Sequence, residues 1–126
     1  MMYVSVALGG VLGSLLRWLI ALALPADDGL PWGTLLANAT GCLVIGFYST
    51  LTGPDGRLFV GPRVRQFVLT GFCGGYTTFS AFSLEIFTLW TAGDAGRALI
   101  YLASSLASWL AAVWLGDLLA QRLNSL

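Results

Sequence analysis

Phe79, Phe82 and Glu85 recur at intervals of three within a long apolar stretch, and Thr77, Thr78, Ser80 and Ser83 put hydroxyls beside the same rings. The edge of a phenyl ring is electropositive and its face electronegative. Ring edges joined by hydroxyl and amide donors therefore make a lining suited to a small anion without a fixed cation. Just upstream stand Gly74 and Gly75. Paired glycines weaken a helix, and threonine side chains compete for its backbone groups, so a break is expected between Gly74 and Thr78. In hydrocarbon every freed N–H or C=O must find a partner, and a broken helix survives only inside protein or beside an aqueous cavity. Such a break points to an ion or substrate site. The alternative is that the two glycines merely let helices approach closely.

Other segments add polar faces of the same kind. Thr34, Asn38 and Gly41 are spaced by four and three and share a helix face. Asn38 is costly at membrane depth unless its amide is paired. It serves either as an interhelical hydrogen bond or as an NH₂ donor to a passing anion. Tyr101, Ser105 and Ser108 lie on one face of a later segment, near Ser104, Trp109 and Trp114. Gly9, Gly13 and Arg17 recur at every fourth position, and the first two match the small-residue helix-contact spacing. Arg17 either snorkels to an interface or attracts anions at a vestibule; both readings stand.

Much other chemistry has no residues to perform it. Histidine is absent, which removes the usual proton shuttle and the commonest transition-metal ligand. No nucleophile–base pair, paired carboxylates, phosphate loop or metal spacing is visible, and enzyme activity is not expected. Cys42 and Cys73 fall inside apolar segments, where a free cysteine acts as a small apolar residue.

The elements that must position these residues are membrane helices. The 126 residues are 57% hydrophobic and only 10% charged, with a mean hydropathy of +0.83, beyond what a soluble domain of this size carries. Four apolar segments, about 3–24, 32–51, 65–91 and 98–120, each match the length of a bilayer-spanning helix. Polar gaps at 25–31, 52–65 and 92–97 separate them. The expected fold class is all-α, a single four-helix transmembrane domain over 1–126. Residues 1–3 supply no basic leader and Arg17 interrupts the apolar stretch, so the first segment is read as a retained helix rather than a signal peptide. With the N-terminus inside, Arg57, Arg63, Arg65 and Arg122 lie on the cytoplasmic side, against Arg97 and Arg17 outside. Lysine is absent and the net charge is zero. So weak a bias permits insertion in both orientations, and no nucleic-acid partner is expected.

Three blocks of this sequence resemble the small bacterial fluoride channels of the Fluc or CrcB family. They are Gly9, Gly10, Gly13 and Arg17; Gly33, Thr34, Asn38 and Gly41; and the segment from Gly71 through Gly74, Gly75, Thr77, Thr78, Phe79, Ser80 and Phe82 to Ser83. The likeness extends over essentially the whole chain. It implies a multi-pass protein of the bacterial plasma (inner) membrane, inserted as an antiparallel, dual-topology homodimer with two narrow fluoride pores. Asn38 matches the pore-facing asparagine, and Phe79 and Phe82 match aromatics whose edges meet fluoride. Thr34, Ser80 and Glu85 match polar positions on or near the path, Tyr101 and Ser105 match fourth-span pore residues, and Arg17 matches a vestibule arginine. Gly74 and Thr77 match positions whose backbone carbonyls hold a structural sodium ion at the dimer axis. Two departures stand out: Ala81 replaces a frequent threonine or serine. Ser108 stands one position before the family's last track serine, where the bulkier Trp109 sits.

Two other readings compete. A four-span drug/proton antiporter needs a carboxylate in its cavity, and Glu85 is its one candidate. A non-transporting scaffold subunit leaves the weakened helix and the donor faces unexplained.

Overall fold

The computed structural model describes residues 1–26 and 29–126; Asp27 and Asp28 of the first predicted gap lie outside the described residues. Among those described, every regular element is helical. Helix α1 is Met2–Ala23, α2 is Trp32–Leu51 and α6 is Ala95–Asn124. These three are long and apolar enough to cross a membrane. Between α2 and α6 the chain forms a fourth, interrupted rod: α3 Pro62–Gln66, a π-helical segment Phe67–Cys73, α4 Gly74–Tyr76 and α5 Ser80–Thr91. Helical structure thus covers all four apolar stretches, beginning at Pro62 in the third and running from Ala95 to Asn124 in the fourth, while the third is interrupted.

Close backbone approach holds the rods together. α1 packs on the π-helical segment and α4, while α2 packs along α6. A Cβ on Gly9 or Gly13 would sit 2.3 Å from the Phe67 carbonyl oxygen or 2.2 Å from that of Phe72. On the facing rod, a Cβ on Gly75 would sit 2.4 Å from the Gly10 carbonyl oxygen. Two small-residue stripes therefore interlock, which is how membrane helices gain dispersion contacts without a hydrophobic driving force between them. Gly46 and Gly116 give α2 and α6 the same closeness, each with its absent Cβ 2.3 Å from a carbonyl oxygen of the other helix.

The interruption falls at the end of the expected Gly74–Thr78 stretch rather than at its glycines. Gly74 and Gly75 are helical, Gly74 with φ −64° and ψ −36°. The chain leaves the helix at Thr77, which is extended at φ −86° and ψ 159°, and resumes at Ser80. Gly75 thus serves the close-approach reading, and the break itself belongs to the threonines. The π-helical turn just before it was not foreseen; such turns favour functional sites, but they leave no periodicity in a uniformly apolar sequence.

α5 ends at Gly93, whose φ of +85° suits glycine. There the Asp94 N–H donates to the Leu89 carbonyl at 3.0 Å and the Gly93 N–H to that of Trp90 at 3.1 Å, closing the last turn. Asp94 then caps α6 by accepting from the Arg97 N–H at 3.2 Å. This turn sends α6 back alongside α5, and so delivers Tyr101, Ser105 and Trp109 to the interruption.

Candidate functional site

Asn38 organises the interruption. Its Oδ1 accepts from the Thr78 N–H at 2.7 Å and its Nδ2 donates to the Thr78 carbonyl at 2.8 Å. In an unbroken helix that N–H would bond to the Gly74 carbonyl, so pairing with Asn38 releases it. One Nδ2 hydrogen remains beyond the bond to Thr78. Thr77 keeps its own N–H on the Cys73 carbonyl at 2.9 Å and adds its hydroxyl to the same oxygen at 2.9 Å. Gly41 makes room for it, since a Cβ there would meet Thr77 Cγ2 at 2.4 Å. Thr78 Oγ1 accepts from the Ala81 N–H at 3.2 Å, satisfying a donor in the first turn of α5, whose N-cap position is Phe79. Ser80 lies within 3.3 Å of that same hydroxyl.

A cavity of about 460 Å³ opens beside the interruption, lined by Asn38, Gly41, Gly74, Thr77, Thr78, Phe79 and Trp109 among others. No ionised side chain stands in its wall. Phe79, 73% exposed, sits at its edge, whereas Phe82 behind it is 1% exposed. The Phe82 ring lies 5.8 Å from that of Phe79, 5.3 Å from Tyr101 and 4.6 Å from Trp109, the last two edge-on. The predicted aromatic pair is therefore one cluster with an open and a closed member.

Beyond Phe82 lies a second polar group. Glu85 is held at both oxygens, by the Thr34 hydroxyl at 2.6 Å and by the Tyr101 hydroxyl at 2.8 Å. Three predicted residues from three elements meet here, and the carboxylate's partners are hydroxyls rather than an arginine. Arg17 is apart from both groups. Its Nε donates to the Gly75 carbonyl at 3.3 Å, with the Ser14 hydroxyl at the same oxygen, so it bonds to the broken rod on the α1 side instead of simply snorkelling.

The fourth-span serines divide. Ser105 is fully buried, and its Oγ makes no hydrogen bond among the described residues. Ser108 turns its hydroxyl back to the Ser105 carbonyl at 2.9 Å, so its hydrogen is engaged within its own helix. Trp109, the next residue, is the one that stands edge-on against Phe82. The spacing 101, 105, 109 runs at a constant four and points to it; residue type alone points to Ser108. A further acid, Asp117, also lies within α6 and accepts from the Thr50 hydroxyl at 2.6 Å and from Gln121 at 2.7 Å, well away from the cavity wall. Among the described residues no cluster of three or more acidic, cysteine or histidine side chains forms a metal centre.

Comparison with known proteins bears directly on this arrangement. Residues 4–117 match the family model described as CrcB-like protein, Camphor Resistance (CrcB). The chain is 58% identical to a protein of Bradyrhizobium diazoefficiens named fluoride-specific ion channel FluC 1, over 100% of this chain and 89% of that one. It is 55% identical to a protein of the same name from Rhodopseudomonas palustris, over 99% of this chain and 90% of the relative. A fluoride-specific ion channel FluC of Opitutus terrae is 48% identical, over 99% and 96%.

Proposed function

The chain belongs to the CrcB-like protein family, and from its site and its relatives' names we infer that it is a fluoride-specific ion channel of the bacterial inner membrane. Fluoride passes down its own gradient with no coupled ion. The observation that carries this reading is the cavity wall: the Asn38 amide, Thr78 and the Phe79 and Trp109 rings stand in a mostly apolar lining, and none of the described lining residues is charged. A fixed cation would hold fluoride too tightly to release it, and conduction needs sites that bind well enough to enter yet weakly enough to leave. Asn38, Phe79 and Phe82 form the centre of the path, Thr34, Ser80, Glu85, Tyr101, Ser105 and Ser108 line or flank its length, and Arg17 stands at a vestibule.

A second copy, inserted in the opposite orientation, completes the wall and doubles the path. Phe79 is largely exposed, and Gly74 faces open space, with nothing within 4 Å of a Cβ placed there. Both then lie against the partner in a symmetric interface. The Gly74 and Thr77 carbonyls suit a structural sodium ion between the copies. Thr78 has left the Gly74 oxygen, and Thr77 is extended rather than helical. Bound there, sodium supplies a charge that offsets facing carbonyl dipoles.

An antiporter needs a carboxylate free to titrate in the substrate cavity. Both oxygens of Glu85 are engaged instead by Thr34 and Tyr101. The test is ion efflux from proteoliposomes containing only this protein, comparing fluoride with chloride at matched pH. Fluoride efflux without a proton gradient is expected; strict dependence on such a gradient would overturn the channel reading.

A further inference from the structure

Two buried side-chain polar atoms lack a hydrogen-bond partner among the described residues, Ser105 Oγ and Trp109 Nε1. They stand one turn apart on α6, and the rings on either side of Ser105, Tyr101 and Trp109, both pack on Phe82. Trp109 also lines the cavity with Asn38, Thr78 and Phe79. A buried polar group left unpaired is destabilising, and two such groups one turn apart on one helix call for a partner that the protein's own groups do not supply. The indole nitrogen narrows what that ligand is. It donates and cannot accept, so its partner is a hydrogen-bond acceptor, which excludes a bare cation.

We propose that Trp109 is a specificity-determining residue of the fluoride path, its indole N–H donating to the ion as it passes Phe82, with the Ser105 hydroxyl one turn away. This rests on the channel reading above. The physical reason is rigidity. A tryptophan packed edge-on against a buried phenylalanine cannot swing aside as a serine hydroxyl can, so its donor stays at one depth and one distance from the opposite wall. Such a donor replaces water for an ion small enough to fit the gap, and its ring blocks a larger halide. The bulk of Trp109 then narrows the path without obstructing it.

The experiment uses the full chain in two ways. In proteoliposomes, Trp109→Phe keeps an aromatic ring against Phe82 but removes the N–H, and fluoride efflux per folded dimer should slow by roughly tenfold, the scale of one lost hydrogen bond. Independently, protein labelled with ¹⁵N-tryptophan shows its five indoles as separate N–H resonances, with that of Trp109 assigned from its loss in Trp109→Phe. Titration with fluoride should move that proton downfield, and chloride should leave it in place. Efflux at the parental rate in Trp109→Phe overturns the proposal. So does an indole resonance that fluoride leaves unmoved, which is the behaviour of an N–H resting on the Phe82 ring face. Parental protein that passes no fluoride removes the channel reading and this inference with it, whereas normal parental efflux with an insensitive Trp109 removes this inference alone.

Discussion

Asn38 holds both backbone groups of Thr78, accepting from its N–H at 2.7 Å and donating to its carbonyl at 2.8 Å. One side chain thus does for an interrupted helix what the helix's own backbone does elsewhere. In hydrocarbon, where unpaired peptide groups cost several kcal/mol each, this pair of bonds makes the interruption tolerable. The amide is structural support, and its remaining hydrogen leaves it a donor toward the proposed path.

Asn38→Asp keeps an acceptor for the Thr78 N–H but replaces the donor to the Thr78 carbonyl with a second oxygen. We expect a loss of about 1–3 kcal/mol, the range for a buried acceptor left unsatisfied, together with loss of fluoride efflux. Thermal stability of the purified protein and proteoliposome flux read the two effects separately. Parental flux from Asn38→Asp would move the path elsewhere.

Phe82→Ile removes the ring enclosed by Phe79, Tyr101 and Trp109. The lost volume and aromatic contacts should cost on the order of 1–2 kcal/mol, leaving a folded protein whose fluoride efflux is strongly reduced. Flux normalised to folded dimer is the measurement. An unchanged rate means the rings only pack.

Gly74 and Gly75 are adjacent yet should respond oppositely to alanine. In Gly75→Ala the new methyl meets the Gly10 carbonyl oxygen at 2.4 Å, and forcing α1 away should cost about 1–3 kcal/mol. Gly74→Ala meets nothing within 4 Å in its own chain and gains up to about 1 kcal/mol of helix propensity. Its fold should persist while its dimer weakens. Thermal melts and chemical cross-linking distinguish these outcomes; equal behaviour would contradict the assigned surroundings.

Glu85→Gln separates channel from antiporter. Glutamine still accepts from one of the Thr34 and Tyr101 hydroxyls and donates to the other, and it cannot titrate. Passive fluoride efflux should continue in this variant. If transport vanishes while the protein remains folded and dimeric, the ionised carboxylate is required and passive permeation past uncharged donors is contradicted.

Replacing sodium with a large organic cation should weaken the dimer if the Gly74 and Thr77 carbonyls bind the ion between two copies. Ligand linkage makes the melting temperature rise with ion concentration, so a sodium titration of thermal stability is the check. A midpoint indifferent to sodium argues against the site.

Periodicity and composition were enough for the helical architecture. Four apolar stretches of spanning length, the glycine stripe at Gly9 and Gly13, and the shared face of Thr34, Asn38 and Gly41 all follow from spacing along one helix, which is a local property. Partner choice was not local. The break falls at Thr77 rather than at the paired glycines because Asn38, forty positions away in sequence, offers Thr78 a better bond, while Gly75 is held helical against Gly10. Ser108 is spent on its own backbone and Trp109 takes the place against Phe82, because the turn at Gly93 and Asp94 sets which face of α6 meets α5. A sequence states which groups can donate, accept or pack closely. Only the tertiary structure decides which of them meet, since each such contact is made by residues far apart along the chain.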